Sequence, residues 1–433
     1  MNFKNFSIIL ALLSFELKVF STPLNDVTSE LSASEISDIE ELNDVDAVEL
    51  NEIEEELEAT EIPTEILTEI PTDFDDEATE VPTDSMTEIT DLPCDDIQTC
   101  IGWMRDNKEV LVANGYDIPD EIFDYLLIQG IDEKNVEILQ QNFEAVSYGT
   151  KVDVNGHEMS VNIKGEENNT TIVVLPGLGV ISPVIYYKSL TEILANDYKV
   201  VTIEPFGYGV SDIVDEERNA ENIVDEVHTC LQELGIDQYY LMGHSIGGIY
   251  SLIYDNTYED EVLGFIGLDN TPNHLDKTEE DVASPNGIYT FSKILNKYHL
   301  WALLPESLKE ILMGIAQEKQ YQNYSEEDLA ALVSINDYRY ENLNIVDESK
   351  HVSDNVASSK DMYFHCPILM FISEETQKIL PEWIELHEEM INNNPEKELM
   401  NKSKIISLEE TTHAFIHTQK KEVIAEEIKQ WII

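Results

Sequence analysis

The spacing of hydrophobic positions changes character along the chain. After an apolar run at the extreme N-terminus, residues 23–92 carry scattered Ile, Leu and Val among acids and prolines. Only Asp38–Glu58 repeats them often enough to suggest a transient helix. Apolar residues then recur three and four apart in Glu109–Asn114, Pro119–Gln129 and Glu133–Glu144, which predicts helices. From Thr150 short apolar runs alternate with amphipathic stretches. Lys151–Val154 and Glu158–Lys164 flank Asn155-Gly156, a dipeptide suited to a tight hairpin turn. Thr171–Leu175, Lys199–Ile203, Gln238–Met242, Val262–Leu268, Pro367–Ile372 and Lys404–Leu408 predict further strands. The first of these is apolar throughout, as a strand buried on both faces must be. Tyr186–Ala195, Ala220–Leu234 (closed by Gly235), Gly247–Tyr254 and a segment from Lys421 predict helices. Strand and helix in alternation predict an α/β fold, a mostly parallel sheet with helices on both faces. A roughly helical insertion between Asn270 and Met362 interrupts the alternation. It carries Tyr289, Phe291, Trp301 and Leu312 among its apolar positions.

Charge divides the same chain differently. The 433 residues carry 88 Asp plus Glu against 25 Lys plus Arg, a formal net charge of −63. Such a polyanion is ill suited to gripping nucleic acid or anionic lipid, which need a positive surface. No uncharged apolar stretch of about 20 residues follows the N-terminus, so no internal membrane span is expected. Between Lys18 and Arg105 there is no Lys or Arg, and Pro23–Cys100 holds 27 acidic residues. That segment repeats Glu-Ile-Pro-Thr-Glu in degenerate form at Glu61, Glu69 and Glu80. Like charges repel and proline blocks helix and sheet, so 23–92 is expected to be a disordered acidic linker or a glycan-bearing stalk.

The first 22 residues have the order of a secretory signal: Lys4, then the apolar Phe6–Leu13, then small residues near Ser21. An amphipathic helix at the start of a cytosolic protein is the alternative, since Glu16 and Lys18 break the neutrality of a signal. A secreted protein would also suit the cysteines. Cys94 and Cys100 bracket the start of the folded part and can close a short disulfide loop, while Cys230 and Cys366 fit buried small hydrophobes. Asn168, Asn169, Asn323 and Asn401 head glycosylation sequons. No Cys/His spacing resembles a zinc site, and no metal or cofactor is expected.

The chemistry lies after the strand that ends at Met242. Gly243-His244-Ser245-Ile246-Gly247-Gly248 is G-x-S-x-G between a strand and a helix. A sharp turn there lifts the Ser245 hydroxyl above the sheet and brings its flanks too close for side chains. It also leaves the hydroxyl at a helix N-terminus, where negative charge is favoured.

With this motif the segment from Thr150 to Ile433 resembles the α/β-hydrolase fold superfamily of esterases, lipases and peptidases. Three further stretches fit in the family's order. Val173–Gly179 resembles the oxyanion loop, with Pro176 where His is usual. Glu204-Pro205-Phe206-Gly207-Tyr208-Gly209-Val210-Ser211 resembles D-x-x-G-x-G-x-S. Glu410–His417 resembles the loop of the catalytic histidine. The resemblance implies Ser245 as nucleophile, His413 as general base, and the backbone N–H groups of Leu178 and Ile246 as oxyanion donors. His244 and His417 are expected to be structural, or in the case of His417 exposed.

The third member of the set is where the chain departs from the family. The usual Asp slot after Pro367–Ile372 reads Ser373-Glu374-Glu375-Thr376, with Thr376 near the acid's position. Glu374 or Glu375 can orient His413, or Asp269 can do so from the end of the preceding strand. The vacant slot favours Asp269. The insertion, residues 271–362, would be a lid, and 93–149 a helical extension without an assigned role. These features lead to a secreted, cofactor-free serine hydrolase acting on a small-molecule carboxylic ester. The alternatives are a proline-iminopeptidase-like aminopeptidase, whose lid acids grip a substrate amine, and a non-catalytic binding protein on the same scaffold.

Overall fold

The computed structural model describes residues 97–108, 133–275, 294, 297, 300–303, 324–339 and 342–432. The predicted hairpin opens the sheet. Strands β1 (Thr150–Val154) and β2 (His157–Lys164) pair antiparallel around Asn155 and Gly156, whose φ angles are 56° and 91°. Two successive positive φ values match the twist of a tight hairpin, and Gly adopts them at least cost. Six strands follow: β3 (Thr171–Leu175), β4 (Lys199–Glu204), β5 (Tyr239–His244), β6 (Val262–Leu268), β7 (Ile368–Ser373) and β8 (Lys404–Leu408). They complete one sheet in the order β1-β2-β4-β3-β5-β6-β7-β8. β2 joins β4 antiparallel, and every later pairing is parallel.

Alternate residues of the central strands feed two separate cores. Val173, Leu175, Val201, Leu241 and Phe265 face the helices Ala220–Glu233 and Gly247–Thr257. Ile172, Val174, Val200, Met242 and Ile266 face Lys188–Leu194 and Lys421–Trp431. Both sets are buried, which is why these strands read as unbroken apolar runs. The strand order also locates the crevice. From β4 the chain crosses back past β3 to reach β5, so the connections leaving β3 and β5 part at their C-terminal ends, where open α/β sheets bind ligands.

The predicted helix Tyr186–Ala195 is in fact two. Ser182 caps Pro183–Tyr186 by accepting from the Ile185 N–H, and a second helix runs Lys188–Leu194. Proline in the first turn presets the earlier start. The break falls at Tyr187, and both Tyr186 and Tyr187 are buried. Glu374–Ile379, Trp383–Asn392 and Lys397–Lys402 are helices the periodicity did not separate from loop.

Of the insertion, Glu326–Arg339 and Leu343–Ser358 are helical. The apolar positions Tyr289, Phe291 and Leu312 lie outside the described residues, as do Glu109–Asn114, Pro119–Gln129, the acidic segment and the N-terminal apolar run. The extension helix Glu133–Glu144 matches its predicted bounds. Its Phe143 ring stacks on Tyr338 at 5.2 Å, with the Arg339 guanidinium 4.1 Å from the ring centre. A few residues on, the Tyr148 hydroxyl donates to the buried Glu204 carboxylate. Cys100 is disulfide-bonded and buried, while Cys230 and Cys366 are free and buried. Cys94 lies outside the described residues. Among the described residues no helix is long and apolar enough to cross a membrane.

Candidate active site

Ser245 sits between β5 and the helix Gly247–Thr257 with φ at 52°, in the left-handed region a side chain rarely occupies. The turn is tight enough to forbid side chains on either flank. A Cβ on Gly243 would lie 2.6 Å from the Gly247 carbonyl oxygen, and one on Gly247 would lie 2.7 Å from that of Pro176. The Ser245 carbonyl accepts from the Gly248 and Thr271 amides, which fixes the strained residue from both directions.

Ser245, His413 and Asp269 form one hydrogen-bonded chain. His413 Nε2 lies 3.1 Å from Ser245 Oγ, and His413 Nδ1 lies 2.8 Å from Asp269 Oδ2. All three are nearly closed to solvent, at 3%, 3% and 0% exposure. Asp269 leaves the end of β6 with φ at 43°, a second left-handed residue at the sheet's C-terminal edge.

The charge state of Asp269 sets the direction of these bonds. Burial alone would raise its pKa. Hydrogen bonds from His413, Thr376 and Ser373 outweigh that and hold it well below the usual carboxylate range. Oδ2 accepts from the Ser373 hydroxyl at 2.7 Å and the Thr376 hydroxyl at 2.6 Å. Oδ1 accepts from the Ser373 amide at 3.0 Å and from Trp383 Nε1 at 3.1 Å. An ionised carboxylate only accepts, so His413 Nδ1 carries the proton. Nε2 of the neutral ring then offers its lone pair to the Ser245 hydroxyl. The alternative acids do other work. Glu375 accepts from the His413 backbone N–H at 2.9 Å, and Glu374 accepts from the Glu410 N–H at 2.8 Å. Neither carboxylate bonds the His413 ring. Thr376, in the slot where an acid was expected, is a donor to the acid that replaced it.

The other histidines are structural in geometry. His244 Nδ1 faces the Tyr187 hydroxyl at 3.0 Å and Nε2 faces the His413 carbonyl at 3.0 Å. His417, left open as exposed, is fully buried, and its Nε2 donates to the Tyr186 carbonyl at 2.9 Å. Burial pushes His244 well below the ordinary histidine value and His417 down to about 3. Leu178 lies in the loop after β3, one residue beyond Gly177, which approaches Ser245, and Ile246 is the N-cap of the helix that follows the serine. Among the described residues neither backbone N–H donates to another group. The same residues hold no group of three or more His, Cys, Asp or Glu side chains arranged for a metal ion.

Sequence reasoning missed Ser373, Thr376 and Trp383 as carriers of Asp269. Ser373 and Thr376 had a signal, the unusual hydroxyl run in an acid's place. Trp383 lies in an unforeseen helix and had none.

A family model described as the alpha/beta hydrolase fold matches residues 170–311, which include Ser245 and Asp269. This match and the order of the sheet give the described part of the chain the α/β-hydrolase fold. The chain is 30% identical over 122 residues to an uncharacterized protein, YbdG, of Bacillus subtilis, covering 28% of this chain and 37% of that one. It is 32% identical over 97 residues to 3-oxoadipate enol-lactonase 1 of Acinetobacter baylyi, covering 22% of this chain and 35% of that one. The matched stretches thus span little more than a third of these curated relatives. Among solved structures, a thermophilic esterase from Thermogutta terrifontis aligns at 17% identity and TM-score 0.49, covering 66% of this chain and 98% of its own.

Proposed function

We propose that this α/β-hydrolase-fold protein is a serine hydrolase that cleaves carboxylic esters through an acyl-enzyme. The reading rests on the hydrogen-bonded chain from Ser245 Oγ through His413 to the ionised Asp269. In the first half-reaction Ser245 Oγ bonds to the ester carbonyl carbon, and His413 Nε2 takes the hydroxyl proton. The carbonyl electron pair moves onto oxygen, between the Leu178 and Ile246 amides. Collapse restores the carbonyl and breaks the bond to the alkoxy group, which leaves as an alcohol with the proton from His413. Water then attacks the acyl-enzyme, gives its proton to His413, and the acid departs as Ser245 is reprotonated. Asp269 keeps its charge throughout and stabilises the imidazolium. No step requires a cofactor.

Ester rather than amide substrates suit the partial match to a protein named an enol-lactonase. The aminopeptidase reading asked for free lid acids. Of the lid acids, Asp328 is paired to Lys188 at 2.6 Å, Glu326 and Glu327 are exposed in the first turn of Glu326–Arg339, and Glu279, Glu280 and Asp281 lie outside the described residues. Secretion completes the proposal, supported by the N-terminal signal pattern and by a bonded Cys100, which fits an oxidising compartment.

A fluorophosphonate probe tests the enzymatic reading. Ser245 should be labelled in the wild type and not in Ser245→Ala, with p-nitrophenyl esters turned over and proline arylamides left intact. A folded wild-type protein that stays unlabelled would point to the binding-protein alternative.

A further inference from the structure

The two amides that flank Leu178 are both held by tyrosine hydroxyls from outside the loop. The Gly177 N–H donates to Tyr187 Oη at 3.3 Å, and the Gly179 N–H donates to Tyr208 Oη at 3.3 Å. Both rings are buried, at 0% and 2% exposure. Between them, the Leu178 N–H donates to no described group. The loop is thus pinned one residue before and one residue after the amide assigned to the oxyanion.

Each tyrosine is itself held from behind. Tyr208 Oη donates to Glu348 Oε2 at 2.8 Å, and Glu348 takes a second bond from the Tyr250 hydroxyl at 2.7 Å. Tyr187 belongs to a directed chain. The His413 carbonyl can only accept, so His244 Nε2 must be the protonated nitrogen. In the neutral ring Nδ1 is then an acceptor, and Tyr187 donates to it. Having spent its one proton there, Tyr187 Oη can meet the Gly177 amide only as acceptor, which is what the geometry requires. Every donor and acceptor in the chain from Gly177 to His413 is matched in a single arrangement. The chain ties the backbone carrying the oxyanion donor to the backbone carrying the base.

We infer that Tyr187 and Tyr208 are positioning residues for the oxyanion site, holding the Leu178 amide where the tetrahedral oxygen forms. The inference rests on the serine-hydrolase reading above. Neither tyrosine touches the substrate. Each acts through the loop, so its loss should weaken stabilisation of the tetrahedral state and leave ester binding nearly unchanged.

The test compares Tyr187→Phe and Tyr208→Phe with wild type in kcat and KM on p-nitrophenyl esters and in the fluorophosphonate labelling rate. Affinity for an alkyl boronic acid, which forms a tetrahedral adduct on Ser245, and Tm complete the comparison. The expected result is a fall of roughly tenfold to a hundredfold in kcat, labelling rate and boronate affinity, with KM within about twofold. Tyr208→Phe strips a donor from the buried Glu348, so the double variant Tyr208→Phe/Glu348→Gln guards against misfolding. It removes the charge along with its lost partner and should regain Tm while kcat stays low. Folded variants with wild-type kcat and labelling would overturn the inference while leaving the serine-hydrolase reading intact. A change confined to KM would overturn it equally. A wild type that neither labels nor turns over ester would remove the reading and the inference together.

Discussion

Asp269 is buried without a cation in permanent contact, and four donors make that charge tolerable: two hydroxyls, one amide and one indole N–H. His413 supplies the fifth bond. Asp269→Asn keeps the shape but presents an amide whose NH2 group can face His413 Nδ1, which favours the tautomer with its proton on Nε2. That tautomer cannot accept from Ser245. Turnover should fall roughly 10³- to 10⁴-fold with little change in Tm. Glu374→Gln should remain close to wild type, because Glu374 bonds backbone at the loop surface. Measuring kcat for both variants on one ester decides between the two acids. Near-normal turnover by Asp269→Asn would sink the assignment. Ser245 and His413 were legible in the sequence because a spaced motif and a loop signature surround them. The acid was legible only as a vacancy. No local pattern marks an aspartate that becomes functional by meeting Ser373 and Thr376, more than a hundred residues away.

At the level of elements, periodicity was informative wherever one face of an element is fully buried. Thr171–Leu175 and Val262–Leu268 have the predicted bounds, and so does the edge strand Lys404–Leu408, in which only Leu408 is buried. It failed at Tyr186–Ala195, where a cap and a proline start a short helix early and the chain breaks at the buried Tyr187. It also failed for the helices after β7, which are short or bury only a few positions, such as Trp383, His387 and Met390 in Trp383–Asn392. The extension helix Glu133–Glu144 rests on a small contact in which Phe143 lies against Tyr338 and Arg339. Phe143→Ala should therefore cost about 1–3 kcal/mol, less than truncating an aromatic at the centre of a core. The check is a lowered Tm together with faster proteolysis before Tyr148. An unchanged Tm would mean the helix adds nothing to the fold.

Across the whole molecule, the buried histidines predict how the fold responds to acid. His417 is held near 3, and His244 and His387 below their ordinary value, in each case chiefly by burial. An unfolded histidine titrates near 6.5. Each folded pKa is depressed, so the unfolded state binds protons first as pH falls. The stabilisation is complete above about 6.5 and is lost progressively towards 3. Glu204 and Glu348, raised by burial, act in the opposite sense and favour the fold on acidification. Tm should fall between pH 6.5 and 4, and His417→Gln should show a shallower fall when both proteins are scanned by calorimetry. Equal slopes would show that His417 does not contribute.

The bond from Tyr148 to Glu204 has a practical consequence for anyone expressing this protein in pieces. A gene trimmed to the first strand at Thr150, or to the family match at residue 170, discards the phenol that helps solvate a buried acid at the end of β4. It also bares the side of Glu326–Arg339 on which Phe143 rests. The useful cloning boundary lies upstream of Glu133, outside the part of the chain that pattern recognition would excise.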